Sequence, residues 1–114
     1  MTASSVVNLH SAIQYLGGDI TRIKRYLDKF IARAEGTCQD ICTAVEDGRW
    51  EQVVVISHQL KATARMVGAE QLSTLYFELE QAARLQQLQQ LKTLSAQLSG
   101  ALAQVKDFSV QMDG

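Results

Sequence analysis

Trp50-Glu51-Gln52-Val53-Val54-Val55-Ile56-Ser57-His58-Gln59-Leu60-Lys61-Ala62-Thr63-Ala64-Arg65-Met66-Val67 contains neither glycine nor proline and repeats its apolar residues at helical spacing. Turned by ~100° per residue, Val53, Ile56, Leu60, Thr63 and Val67 collect on one stripe, and His58, Lys61 and Arg65 lie roughly opposite it. The spacing predicts a helix packed along one side, with His58 presented to solvent. A neutral imidazole is nucleophilic near neutral pH, and beside fixed positive charge it can accept and pass on an anionic group such as a phosphoryl. Lys61, three residues on, shares the face and can neutralise the oxygens of that group. A single surface histidine is more often just a solvated residue, so the flanking sequence has to decide.

Outward from this stretch the chain divides at its glycines. A short amphipathic segment from about Val6 to Leu16 ends at Gly17-Gly18, which can supply a left-handed cap, and Asp19 offers an N-cap oxygen to the next helix. That helix carries Ile20, Ile23, Leu27, Phe30, Ala34, Cys38, Ile41 and Val45 on one stripe; Gly36 is a place where it can bend, and Asp47-Gly48 closes it with a turn. After the break at Gly68 a helix is predicted from about Ala69 to Leu85, with Leu72, Leu75, Leu79 and Ala82 inward. The last helix carries Leu88, Leu91, Ser95, Leu98, Leu102 and Val105 at alternating three-and-four spacing, and Ser109 to Gly114 is expected to be a frayed tail. Four long helices with short connections predict an all-α antiparallel four-helix bundle with a short additional N-terminal helix as a lid over one end.

Composition fits one small helical module. The chain has 114 residues, no proline, seven glycines and a formal net charge of −1, with both signs dispersed. That length holds a single core, so residues 1–114 are expected to be one domain. Nothing in the charge balance suggests a nucleic-acid partner or an anionic membrane anchor. No apolar run approaches the ~20 residues that span a bilayer, and no basic-apolar signal opens the chain, so the expected location is cytoplasmic. Cys38 and Cys42 share a helix face but lack the further ligands of a tetrahedral metal site, and are expected to pack as reduced residues. No metal or cofactor is expected on this chain. It has no Gly-rich phosphate loop, no Walker lysine and no kinase catalytic loop, which argues against an ATP-dependent enzyme.

The helix that follows Gly68 can meet His58. If the helices before and after Gly68 lie antiparallel, His58 is ten residues before that glycine and Glu80 twelve after it, which brings them level. Glu80 can then accept a hydrogen bond from Nδ1–H of His58, fix the tautomer and leave Nε2 as the nucleophile. A plain i, i+4 bridge between Glu80 and Arg84 is the competing use of the same carboxylate. Val54 and Ala62 lie on the outward side near His58, a small apolar patch that a protein partner can desolvate; Tyr76 and Phe77 could widen it or belong to the core.

Ser57-His58-Gln59-Leu60-Lys61-Ala62-Thr63-Ala64, with Gly68-Ala69, Leu72, Leu75 and Leu79-Glu80, resembles the histidine-containing phosphotransfer (HPt) domain of multistep two-component phosphorelays. Gly17-Gly18-Asp19, Phe30 and the turn Asp47-Gly48-Arg49-Trp50 are similar to that family too, so the resemblance covers about residues 10–105. Ala62 departs from it, since the family more often has glycine there; one methyl leaves the surface small. The resemblance implies a phosphoryl carrier, not an enzyme, that takes a phosphoryl from a receiver-domain aspartate onto His58 and yields it to another. Lys61 and Glu80 would assist, and Val54, Ala62, Arg65, Gly68 and Arg84 would line the docking surface. It implies receiver domains of response regulators as partners, which bring the Mg²⁺, and a monomeric carrier. Such modules stand alone, which a start at Met1 fits, or end hybrid sensor kinases, in which case this would be the cytoplasmic module of a membrane-bound protein. A purely structural helical adaptor is the alternative class. A metal-carboxylate bundle is not, because neither His10 nor His58 has a glutamate three residues before it.

Overall fold

With proline absent and glycine sparse, little in this sequence interrupts a helical backbone once it has started. The computed structural model describes residues 6–112. They form α1 (Leu9–Leu16), α2 (Ile20–Asp47), α3 (Trp50–Met66), α4 (Glu70–Arg84) and α5 (Leu88–Gln111), with no strand among the described residues.

Local signals set most of the boundaries. Asn8 caps α1 by accepting from the backbone N–H of Ser11 at 3.0 Å, so the first helix begins at Leu9 rather than at Val6. Asp19 caps α2 through Thr21 and Arg22, and Gly48, in the left-handed region at φ 70°, ends it. Gly36 lies on the solvent side of α2 and does not break it. The helix of 28 residues spans ~42 Å at 1.5 Å per residue, the full 41 Å length of the molecule.

Packing follows the chain: α2 lies on α3, α3 on α4, α4 on α5, and α5 returns to α2, while α1 rests on α3 and α2. Leu27, Phe30, Leu60, Leu72, Leu79 and Leu98 are among the side chains sealed inside, each stabilising the fold by ~1.5–3 kcal/mol relative to exposure. Five stripe residues differ from expectation, among them Cys38 of α2, which is only partly buried. In α3 the sealed line is Val53, Ser57, Leu60, Ala64 and Val67, with Ile56 and Thr63 only half-buried. Ile20 and Leu88 are exposed, because each is the first residue of its helix and lies beyond the layer that covers the rest.

The C-terminal end is a further correction. α5 continues to Gln111, and Ser109 is buried; its Oγ donates to Asp28 Oδ1 and accepts from Lys24 Nζ at 3.1 Å, which ties the last turn to α2. Of the expected tail, residues 113–114 lie outside the described residues.

Gly68 is corrected as well. Expected at the docking rim, it is instead buried at the α3–α4 turn with φ 82°, and its carbonyl accepts from the N–H of Asn8 at 2.8 Å. A β-carbon there would run into the Asn8 backbone oxygen. The glycine is what lets α1 dock on the turn.

Candidate functional site

The close packing of α3 on α4 brings two side chains of α3, His58 and Lys61, to one carboxylate of α4 that Arg84 of the same helix also reaches. His58 leaves α3 on its outer side, with its side chain 65% exposed, whereas Glu80 on α4 is 4% exposed. Glu80 Oε2 lies 3.1 Å from His58 Nδ1 and 2.8 Å from Arg84 Nη2, and its Oε1 accepts from Lys61 Nζ at 2.8 Å. Counting from Gly68 therefore places Glu80 level with His58. Both uses of the carboxylate coexist: Glu80 bridges to Arg84 within α4 and reaches across to α3.

Burial alone would push the Glu80 carboxyl up. The hydrogen bonds from Lys61, Arg84 and His58, together with the Lys61 charge, outweigh it and hold the group at about 2. Glu80 is thus ionised at neutral pH and can only accept. The hydrogen in its contact with His58 belongs to Nδ1, and the lone pair of the neutral ring sits on Nε2. The arrangement can do two things chemically: hold an imidazole in one tautomer, and keep a lysine beside it.

Lys61 is held more firmly than a free surface lysine. Besides its bond to Glu80, its ammonium lies 5.6 Å from the centroid of the Phe77 ring. Phe77 is exposed and Tyr76 is buried, so the aromatic pair divides between surface and core. Of the other residues predicted at the rim, Val54 is half-buried, Ala62 and Arg65 are exposed, and Arg84 is exposed at its tip while bonded to Glu80.

Three features escaped the sequence. Phe77 under Lys61 could have been found by extending the α3–α4 register, which pairs 61 with 77 just as it pairs 58 with 80. Arg33 Nη2 donates to Gln59 Oε1 at 2.8 Å and so ties α2 to the residue beside His58; no local signal marks it. The buried Ser57 hydroxyl has no hydrogen-bond partner among the described residues. Cys38 and Cys42 are free thiols, and burial, with Cys42 alongside, pushes the Cys38 thiol up.

Comparison with protein families places this bundle. The Hpt domain model matches residues 25–108, from the first third of α2 through most of α5, and the chain belongs to that family. Hpt domains are helical phosphocarriers of two-component phosphorelays, and they interact with receiver domains. No curated protein and no solved structure matches the chain. No helix among the described residues is long and apolar enough to cross a membrane.

Proposed function

We propose that His58 is the phosphorylated residue of a carrier that takes a phosphoryl group from the aspartate of one receiver domain and hands it to another. The observation that carries this reading is the Glu80 carboxylate at 3.1 Å from His58 Nδ1. Held there, Nε2 presents its lone pair to the phosphorus of an aspartyl phosphate. The N–P bond forms as the P–O bond to the aspartate breaks, and the carboxylate leaves with that electron pair. Charge on the transferring oxygens is met by Lys61, which has N–H groups to spare beyond the one on Glu80. The Nδ1–H···Glu80 bond stabilises the positive charge that the substituted ring acquires. The reverse reaction with a second receiver regenerates neutral His58.

The partner's chemistry complements this. Mg²⁺ is held by the receiver, and the chain itself takes no metal, cofactor or ATP. Val54, Ala62, Arg65 and Arg84 form the rim on which the receiver rests. The connections between α2, α3, α4 and α5 are two to three residues long, which favours antiparallel neighbours, so the architecture we propose is an up-and-down four-helix bundle with α1 across one end. The carrier works as a cytoplasmic monomer, free-standing or as the terminal module of a hybrid kinase.

His58→Gln tests the assignment. Incubation with a phosphorylated receiver is expected to give acid-labile phosphate on the parent and none on the variant. Its urea midpoint should correspond to a stability change below ~0.5 kcal/mol, as for a surface substitution. Label retained by His58→Gln would place the phosphate elsewhere, and a parent that takes up no label would leave the adaptor class.

A further inference from the structure

The chain carries a formal net charge of −1, yet one face of α2 is strongly basic. Arg22, Arg25, Lys29 and Arg33 fall within an arc of ~80° and along ~16 Å of the helix. All four are exposed, and among the described residues none of them is in an ion pair. Their nearest support is aromatic and neutral: Tyr26 lies between the Arg22 guanidinium, 5.8 Å from its ring centroid, and the Lys29 ammonium at 5.9 Å. Like charges one turn apart on a helix weaken it by a few tenths of a kcal/mol per pair. The fold thus bears a small cost here and draws no salt bridge in return.

The stripe reaches α3 at the turn that carries His58. Its last member, Arg33, bonds to Gln59, the residue after His58. Beyond Arg33 the same line of α2 turns acidic, with Asp40 and Asp47. This face is therefore polar along its length as well as charged, which can set the direction in which a partner lies on it.

The occupant follows from phosphoryl chemistry. A receiver presents a phosphorylated aspartate together with the oxygen ligands, largely carboxylates, that hold Mg²⁺, so its transfer face is anionic. Building on the carrier reading, we propose that the basic stripe Arg22-Arg25-Lys29-Arg33 is an electrostatic rail that captures the acidic transfer face of a receiver domain and delivers it to His58. Such a rail acts mainly on the rate of encounter and weakens as salt screens it.

The test is an Arg25→Glu/Lys29→Glu double variant, chosen because neither side chain touches His58, Lys61 or Glu80. Receiver domains encoded alongside this chain are phosphorylated and screened on the parent, and the one that labels it fastest is used throughout. At low ionic strength the second-order transfer constant is expected to fall at least tenfold in the variant, while the first-order rate at saturating receiver stays at the parental value. Raising the salt should slow the parent and leave the variant nearly unchanged, so that the two converge. Equal constants with equal salt dependence would overturn the rail, as would a loss confined to the saturated rate. The same variant, assayed for binding to duplex DNA and to vesicles rich in phosphatidylserine, should behave as the parent does; loss of either binding with unaltered transfer would assign the stripe to that other partner and overturn the proposal. If no receiver labels the parent, the carrier reading fails and the rail fails with it, whereas parental labelling with identical variant kinetics removes the rail alone.

Discussion

Glu80 accepts from three donors, and its charge is what holds them together. Its folded carboxyl is kept at about 2 against an ordinary 4.5, so its contribution to stability is complete above 4.5 and is lost as the pH falls towards 2. Glu80→Gln keeps a carbonyl oxygen for His58 Nδ1–H but removes the charge that attracts Lys61 and Arg84. We expect the variant to be less stable by about 1–3 kcal/mol at neutral pH, the range for hydrogen bonds to charged groups. We also expect the difference to shrink through that acidic window, measured as urea midpoints across it. A difference independent of pH would mean that shape, and not charge, is what Glu80 supplies. At this scale the sequence was informative where two residues could be counted from a shared turn, as 58 and 80 are from Gly68. It was less so within a stripe. Ile56 and Ser57 are neighbours on the edge of the same face, and hydrophobicity favours Ile56, but the small Ser57 is the one that is sealed inside while Ile56 is only half-buried.

Helix ends were harder to read than helix middles, and each error has a geometric cause. Periodicity reports which side of a helix is apolar but not how far the covering layer extends, so Ile20 and Leu88 looked like core and are exposed. Conversely, polar Ser109 looked like tail, because its partners Asp28 and Lys24 sit some eighty residues away on α2. Gly68 belongs with these. Its role depends on the backbone of Asn8, and nothing around residue 68 announces that contact. Gly68→Ala should therefore be costly on two counts, a left-handed φ of 82° and a collision with the Asn8 oxygen. We expect a loss of ~2–4 kcal/mol, in the upper range for single substitutions. Because α1 is held at that turn, its amides should lose hydrogen-exchange protection first, ahead of those in α3 and α4. Uniform protection in a destabilised variant would show that α1 is anchored by other contacts.

Seen as a whole molecule, the bundle presents His58 on the exposed side of α3, so on the proposed carrier reading what completes the chemistry arrives on another protein. This makes the shape around His58 as important as its charge. Ala62 is exposed one turn beyond His58, where a side chain no larger than a methyl group leaves the approach open. Ala62→Glu adds bulk and a negative charge at that spot without entering the core, where Ser57, Leu60 and Ala64 face inward. The variant should keep its fold within ~0.5 kcal/mol. Its affinity for a phosphorylated receiver should drop at least tenfold, equivalent to ~1.4 kcal/mol, as read by calorimetric titration. Salt separates this effect from that of the α2 stripe. At molar ionic strength the screening length falls to ~3 Å, which suppresses long-range attraction but not steric exclusion. Ala62→Glu should consequently remain impaired at high salt, where the Arg25→Glu/Lys29→Glu variant has converged on the parent. If Ala62→Glu recovers parental affinity as salt is added, its bulk does not obstruct the receiver and the docking surface lies off this side of α3.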